Sequence, residues 1–405
     1  MVLAKLRAAR VILALAATVL LLELAAVIRP PPTVSERYQA SRRAAARRAG
    51  LPVDPRTRRE VVTALRSGGG RAFPVVAAAP LREYGARTGQ RLVPVSGPSN
   101  AMMVLCAEQG PWVVFRSDSQ GFRNPADLWN PGAVPLVAVG DSYVEGVCAK
   151  DDETLVAGLR RGVPGAVGLA LSGAGPLVEL AIVREYGALL RPRLVLWFYY
   201  EENDLMNLEG EMRSPVLRRY LDPDGSQNLA ARRAEVDRFV EAAVTAVEDS
   251  LRTAASERGS WRRFAMDVAR LGHVRRWIGT VRDARRVAPC CDLATLHQAL
   301  ARADTTVRSW GGRLVFVYVP TLQGFTRPPE RRRPEVAARD DVLAVARGSG
   351  LVVIDLKPAL AALGDPRDVY VFEGGHMTPL GYAAAARIVL DSLRARGFMA
   401  GAAPR

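Results

Sequence analysis

The chain has 405 residues, 49% of them apolar, which is enough for two or three domain-sized units and a large buried core. Its net charge of +15 comes almost entirely from arginine spread along the chain with no nucleic-acid-binding motif, so nucleic acid is excluded as the expected partner. The histidines and cysteines form no cluster with carboxylates at ligand spacing, so no metal and no other cofactor is implied.

In chain order, Lys5, Arg7 and Arg10 precede the apolar run Val11–Leu22, which Glu23 interrupts and Leu24–Ile28 continues. Eighteen residues reach the lower limit for a bilayer helix. No clean small-residue cleavage site follows, which favours an uncleaved signal anchor over a removed signal peptide. Residues 1–32 are therefore expected to form an N-terminal transmembrane helix that leaves the rest of the chain membrane-anchored on the extracytoplasmic side. Residues 33–125 read as a stalk and a lead-in: an Ala/Arg-rich stretch, a break at Gly68-Gly69-Gly70, then short apolar runs such as Leu92–Val95 and Trp112–Phe115.

Residues 126–398 carry the pattern of an α/β domain. Val134–Val139 reads as a buried strand that ends at Gly140-Asp141-Ser142-Tyr143, a tight turn leading into a helix. Val167–Leu171 is a second strand, broken at Ser172-Gly173-Ala174-Gly175, and Leu194–Tyr200 is a third, ending at Glu201-Glu202-Asn203-Asp204. A helical insertion is expected at about 206–310. Val236, Val240, Ala243, Val247 and Leu251 form one stripe; Trp261, Phe264, Val268 and Leu271 begin another that continues to Trp277 and Val281. Eight arginines between Arg262 and Arg286 read as the solvated face of a cap in preference to a membrane-surface lid. Leu314–Val319 is a further strand, and Glu373-Gly-Gly-His376 lies on a loop before the helical pattern Leu380–Leu393. His273 and His297 fall in helical patterns with surface or packing roles, which leaves His376 as the histidine in a loop suited to chemistry.

A serine on a strand-to-helix turn, spare backbone N–H groups, an amide side chain and a late histidine, in this order, resemble the SGNH/GDSL hydrolase family over roughly residues 115–395. The resemblance implies a three-layer, flavodoxin-like fold, a parallel sheet flanked by helices, with ligands at the carboxyl ends of the strands. It also implies that Ser142 is the nucleophile, His376 the base, and the Ser142 and Gly173 amides with the Asn203 side chain the oxyanion hole. The family's acid two or three residues before the histidine corresponds to Glu373, with Asp368 or a Ser-His dyad as alternatives. Gly121-Phe122-Arg123-Asn124 also resembles a lead-in of membrane-linked members, whereas Glu201 replaces the usual glycine of the third block, a change expected to alter the pocket wall. The implied activity is that of a serine esterase on O-acyl, above all O-acetyl, groups of an acylated carbohydrate or other small ester. Polysaccharide O-acyl transfer and a catalytically idle glycan-binding domain are the alternatives. Cys106, Cys148 and the adjacent Cys290 and Cys291 leave the disulfide pairing open.

Overall fold

The computed structural model describes residues 34–48, 50–108, 110–126, 128, 129, 132, 134–257 and 291–399, with isolated positions between 10 and 23 and residue 275. The chain divides into two compact units, Met1–Ala40 with Thr245–Pro289, and Ser41–Val244 with Cys290–Arg405. All the expected strands and site residues belong to the second unit. No helix among the described residues is long and apolar enough to cross a membrane. The expected anchor at residues 1–32 lies mostly outside the described residues, as do the stripe from Trp261 to Val281, His273 and Cys290.

The lead-in folds as a small three-stranded sheet of β1 (Ala72–Pro74), β2 (Met102–Val104) and β3 (Val114–Arg116), with β2 parallel to β1 and antiparallel to β3. The run Leu92–Val95 is buried but is not a strand. The central sheet comprises β4 (Leu136–Gly140), β5 (Val167–Ala170), β6 (Leu194–Tyr200), β7 (Arg313–Val319) and β8 (Val352–Asp355) in the order β5-β4-β6-β7-β8. Every neighbouring pair is parallel. The unbroken apolar runs follow from burial on both faces. In β6, Val195, Trp197 and Tyr199 enter one core, while Leu194, Leu196, Phe198 and Tyr200 enter the other.

The helices that bear on the site are α1 (Ser142–Glu145), α2 (Leu155–Gly162), α3 (Pro176–Ile182), α4 (Asp204–Glu211), α5 (Arg233–Glu257), α6 (Leu293–Arg308), α7 (Arg339–Gly348) and α8 (Pro379–Ala395). α3, the first half of α5, α6 and α7 cover one face of the sheet; α2 and α8 cover the other. The result is the expected α/β arrangement of a parallel sheet between helical layers. Within α5, Val236, Val240 and Ala243 are buried in the main core, so this part of the expected insertion helps build the sheet's cover.

The lead-in is tied to the sheet by the Gly121–Asn124 segment. Gly121 adopts φ +85°, and a Cβ there would lie 2.0 Å from the Gly97 carbonyl oxygen. Phe122 is buried in the core. Arg123 donates to the carbonyls of Glu145, Gly146 and Ala149 at 3.2, 2.7 and 2.8 Å, satisfying acceptors at and just beyond the end of α1. Asn124 pairs with Gly168 of β5 through both its amide groups, at 2.8 and 2.9 Å.

Candidate active site

β4 ends at Gly140, where a Cβ would lie 2.6 Å from Val144 and 3.1 Å from the Phe198 carbonyl, so a side chain cannot fit between strand and helix. Asp141 caps the four-residue helix α1 by accepting the Tyr143 N–H at 2.9 Å, and Gly146 ends it in the left-handed conformation at φ +73°. Ser142, at the first helical position, is half-buried at the carboxyl end of the sheet.

Ser142 Oγ lies 3.1 Å from His376 Nε2. The other ring nitrogen, Nδ1, lies 3.0 Å from Glu108 Oε1, and Glu108 Oε2 accepts the His376 backbone N–H at 3.0 Å. Glu108 is fully buried, whereas the His376 side chain keeps 19% exposure. A carboxylate on Nδ1 places the neutral ring's proton there, which leaves Nε2 as the acceptor for the Ser142 hydroxyl. Burial pushes the imidazole down, but the charge and hydrogen bond of Glu108, with Asp141 and Glu145 adding to them, leave His376 above its usual value.

The carboxylate on His376 is thus Glu108 of the lead-in, and the expectation of Glu373 is corrected. Glu373 is half exposed and ion-paired with Arg327, so it is turned to the surface. Asp368 meets this loop through its backbone carbonyl, which accepts the Thr378 hydroxyl at 2.8 Å, and Asp365 caps a short helix through the Arg367 N–H. His297 is exposed on α6. Glu108 was missed because 268 residues separate it from His376. The signal was the cysteine arithmetic: Cys106 and Cys148 form a disulfide with Cα atoms 5.3 Å apart, which holds the segment bearing Glu108 beside the chain that leaves α1. Glu108, Cys148 and His376 offer atoms within 4.8 Å of one another. The sulfur is taken up by the disulfide and both Glu108 oxygens face His376, so the trio matches a hydrogen-bonded pair beside a cystine better than a metal centre.

The other two blocks come to the same sheet end. Asn203 Nδ2 donates to Asp141 Oδ2 at 3.0 Å, the oxygen that lies 3.3 Å from Ser142 Oγ. After β5 the turn Leu171–Ala174 closes at 2.9 Å with Gly173 at φ +67°, and Ser172 donates its N–H to Glu145 of α1 at 3.1 Å. Burial, against the hydrogen bond from the Ser172 hydroxyl, pushes Glu145 up to about 6. Glu201 does not line a pocket wall: it is buried and accepts from Tyr318 and from the Thr321 N–H and hydroxyl, joining the ends of β6 and β7.

Comparison with known proteins finds no matching family model and no similar curated protein. Solved structures similar to this chain include a lipase/acylhydrolase from Enterococcus faecalis, 14% identical with a TM-score of 0.36, over 65% of this chain and 96% of that one. TesA is 15% identical with a TM-score of 0.36, over 64% of this chain and 98% of that one. The acetyl xylan esterase AlAXEase is 9% identical with a TM-score of 0.36, over 64% of this chain and all of its own, 100%. These structural neighbours are of the SGNH/GDSL type.

Proposed function

We propose that this protein is a serine esterase acting on O-acyl, above all O-acetyl, esters of an envelope or exported polysaccharide, held at the membrane by its N-terminal segment. The observation that carries the chemistry is the continuous line from Ser142 Oγ through the His376 ring to the buried Glu108 carboxylate. Serine is a poor nucleophile at neutral pH, and an imidazole with a free Nε2 takes its proton as Oγ attacks the ester carbonyl. Glu108 stabilises the imidazolium that forms. The Ser142 and Gly173 N–H groups and the second N–H of Asn203 Nδ2 are the donors assigned to the tetrahedral oxyanion, each contributing on the order of 3 kcal/mol. His376 then gives the proton to the departing alcohol, and water resolves the acyl-enzyme by the same steps in reverse. A sugar hydroxyl in place of that water would make the same residues an O-acyltransferase.

Ser142→Ala is expected to abolish hydrolysis of p-nitrophenyl acetate, and a fluorophosphonate probe to label Ser142 alone. Turnover or labelling that survives the substitution refutes the assignment. Anchoring predicts that the protein stays with membranes through a high-salt wash, and release by salt refutes it.

A further inference from the structure

We propose that Tyr143, the residue after the nucleophile, is a positioning residue whose hydroxyl holds the Gly375 carbonyl and thereby fixes the peptide that carries His376. The inference rests on the esterase reading of Ser142 and His376. The Gly375–His376 peptide is gripped at both ends: its carbonyl accepts from Tyr143 Oη at 3.1 Å, and its N–H donates to Glu108 Oε2 at 3.0 Å. Hydrogen bonds at the two ends of one peptide polarise each other, so the Tyr143 bond strengthens the hold of Glu108 on the histidine. The Tyr143 ring also packs on the imidazole, with centroids 5.3 Å apart and planes tilted by 43°.

The Tyr143 hydroxyl is itself part of a longer chain that runs from the core to the surface. Its single proton has a second acceptor, Tyr200 Oη at 2.8 Å. Tyr200 donates its own proton to Glu202 Oε2 at 3.0 Å, and Glu202 Oε1 accepts from Arg333 at 2.8 Å. Both tyrosines are buried, so neither hydroxyl can exchange these partners for bulk water without cost. Because Ser142 and Tyr143 are consecutive on one turn of α1, the element that presents the nucleophile also sets the backbone of the base.

The groups around His376 are Glu108 from the lead-in, Asp141, Ser142, Tyr143 and Glu145 from the nucleophile turn and α1, and Tyr382 of α8 beside Tyr143. Glu108 is the largest influence raising the imidazole against its burial, so a looser peptide weakens that influence. Tyr143→Phe removes one oxygen and is expected to lower kcat about tenfold, the worth of one hydrogen bond, with little change in KM. The acid limb of its pH–rate profile should move to lower pH by roughly half a unit. Tyr200→Phe removes the competing acceptor, leaves the Tyr143 proton on Gly375, and should move the limb less than Tyr143→Phe does. If Tyr143→Phe does not fold, 3-fluorotyrosine at position 143, a stronger donor, should move the limb the opposite way. A folded Tyr143→Phe enzyme with the wild-type kcat and acid limb overturns the inference, as does a fluorotyrosine enzyme with an unmoved limb. A wild-type protein that neither turns over p-nitrophenyl acetate nor labels at Ser142 overturns the esterase reading instead.

Discussion

Replacing Glu108 with glutamine is the sharpest test of the site. The carboxylate accepts two hydrogen bonds from one residue, His376 Nδ1 on Oε1 and the His376 N–H on Oε2, at 3.0 Å each. Glutamine has the same shape but one acceptor oxygen, so if that oxygen keeps the backbone N–H, its amide N–H₂ must face Nδ1. The ring then carries its proton on Nε2 and can no longer accept from Ser142, and the charge that balances the imidazolium is gone. Both losses act in the transition state. A drop in kcat approaching 10⁴-fold, about 5 kcal/mol, is expected, with a far smaller change in KM. Glu373→Gln breaks an ion pair whose side chains are 46% and 43% exposed, which is worth about 1 kcal/mol of stability at most and nothing to the chemistry. Steady-state hydrolysis of p-nitrophenyl acetate by the two variants, with thermal melts to show that both are folded, ranks them. A folded Glu108→Gln enzyme that retains most of its kcat, or a larger loss from Glu373→Gln, would refute the assignment.

The base must be neutral to act, so kcat/KM should rise with pH through a value above the ordinary imidazole value of about 6.5; a limb at or below it would contradict the hold of Glu108. The same raised pKa stabilises the fold fully below the unfolded imidazole's value of about 6.5, and that gain is lost as pH rises through the native one, as denaturant midpoints across the range should show. Reduction of Cys106–Cys148, or Cys106→Ser with Cys148→Ser, should lower stability by about 4 kcal/mol for a loop of 42 residues and lower kcat as Glu108 loses its tether; unchanged kcat with a lowered melting point would confine the bond to a stabilising role. Arg123→Met should cost about 3 kcal/mol, read from the denaturant midpoint, because three carbonyls at and beyond the end of α1 lose their donor and the Arg123 side chain is only 7% exposed; a midpoint close to wild type would mean that water replaces the guanidinium.

Four of the five central strands were legible because burial on both faces makes them long apolar runs, whereas β8 is a four-residue strand ending in Asp355 and was not read. The nucleophile turn was legible for a steric reason, since the glycine and the helix cap are local requirements. The acid was not. The family resemblance favoured Glu373, three residues before His376, but a side chain is placed by what surrounds it, and Glu373 is paired with Arg327 at the surface. Leu92–Val95 shows the limit of apolar pattern in the lead-in, where burial occurs without strand pairing.

The separation of Glu108 from its partner has a consequence for how the chain is made. The acid and the nucleophile leave the ribosome early, and His376 follows Glu108 by 268 residues, which at the usual pace of translation is roughly 13 to 54 seconds. Until His376 emerges the serine has no base and Glu108 no imidazole to hold, so an incomplete chain cannot hydrolyse an ester through this site. The Cys106–Cys148 bond needs only the first 148 residues and can close before the histidine exists, leaving the carboxylate waiting where the imidazole will arrive. For the same reason a fragment starting after the lead-in would lack the acid of the site, together with Leu81, Val95 and Phe122 of the main core.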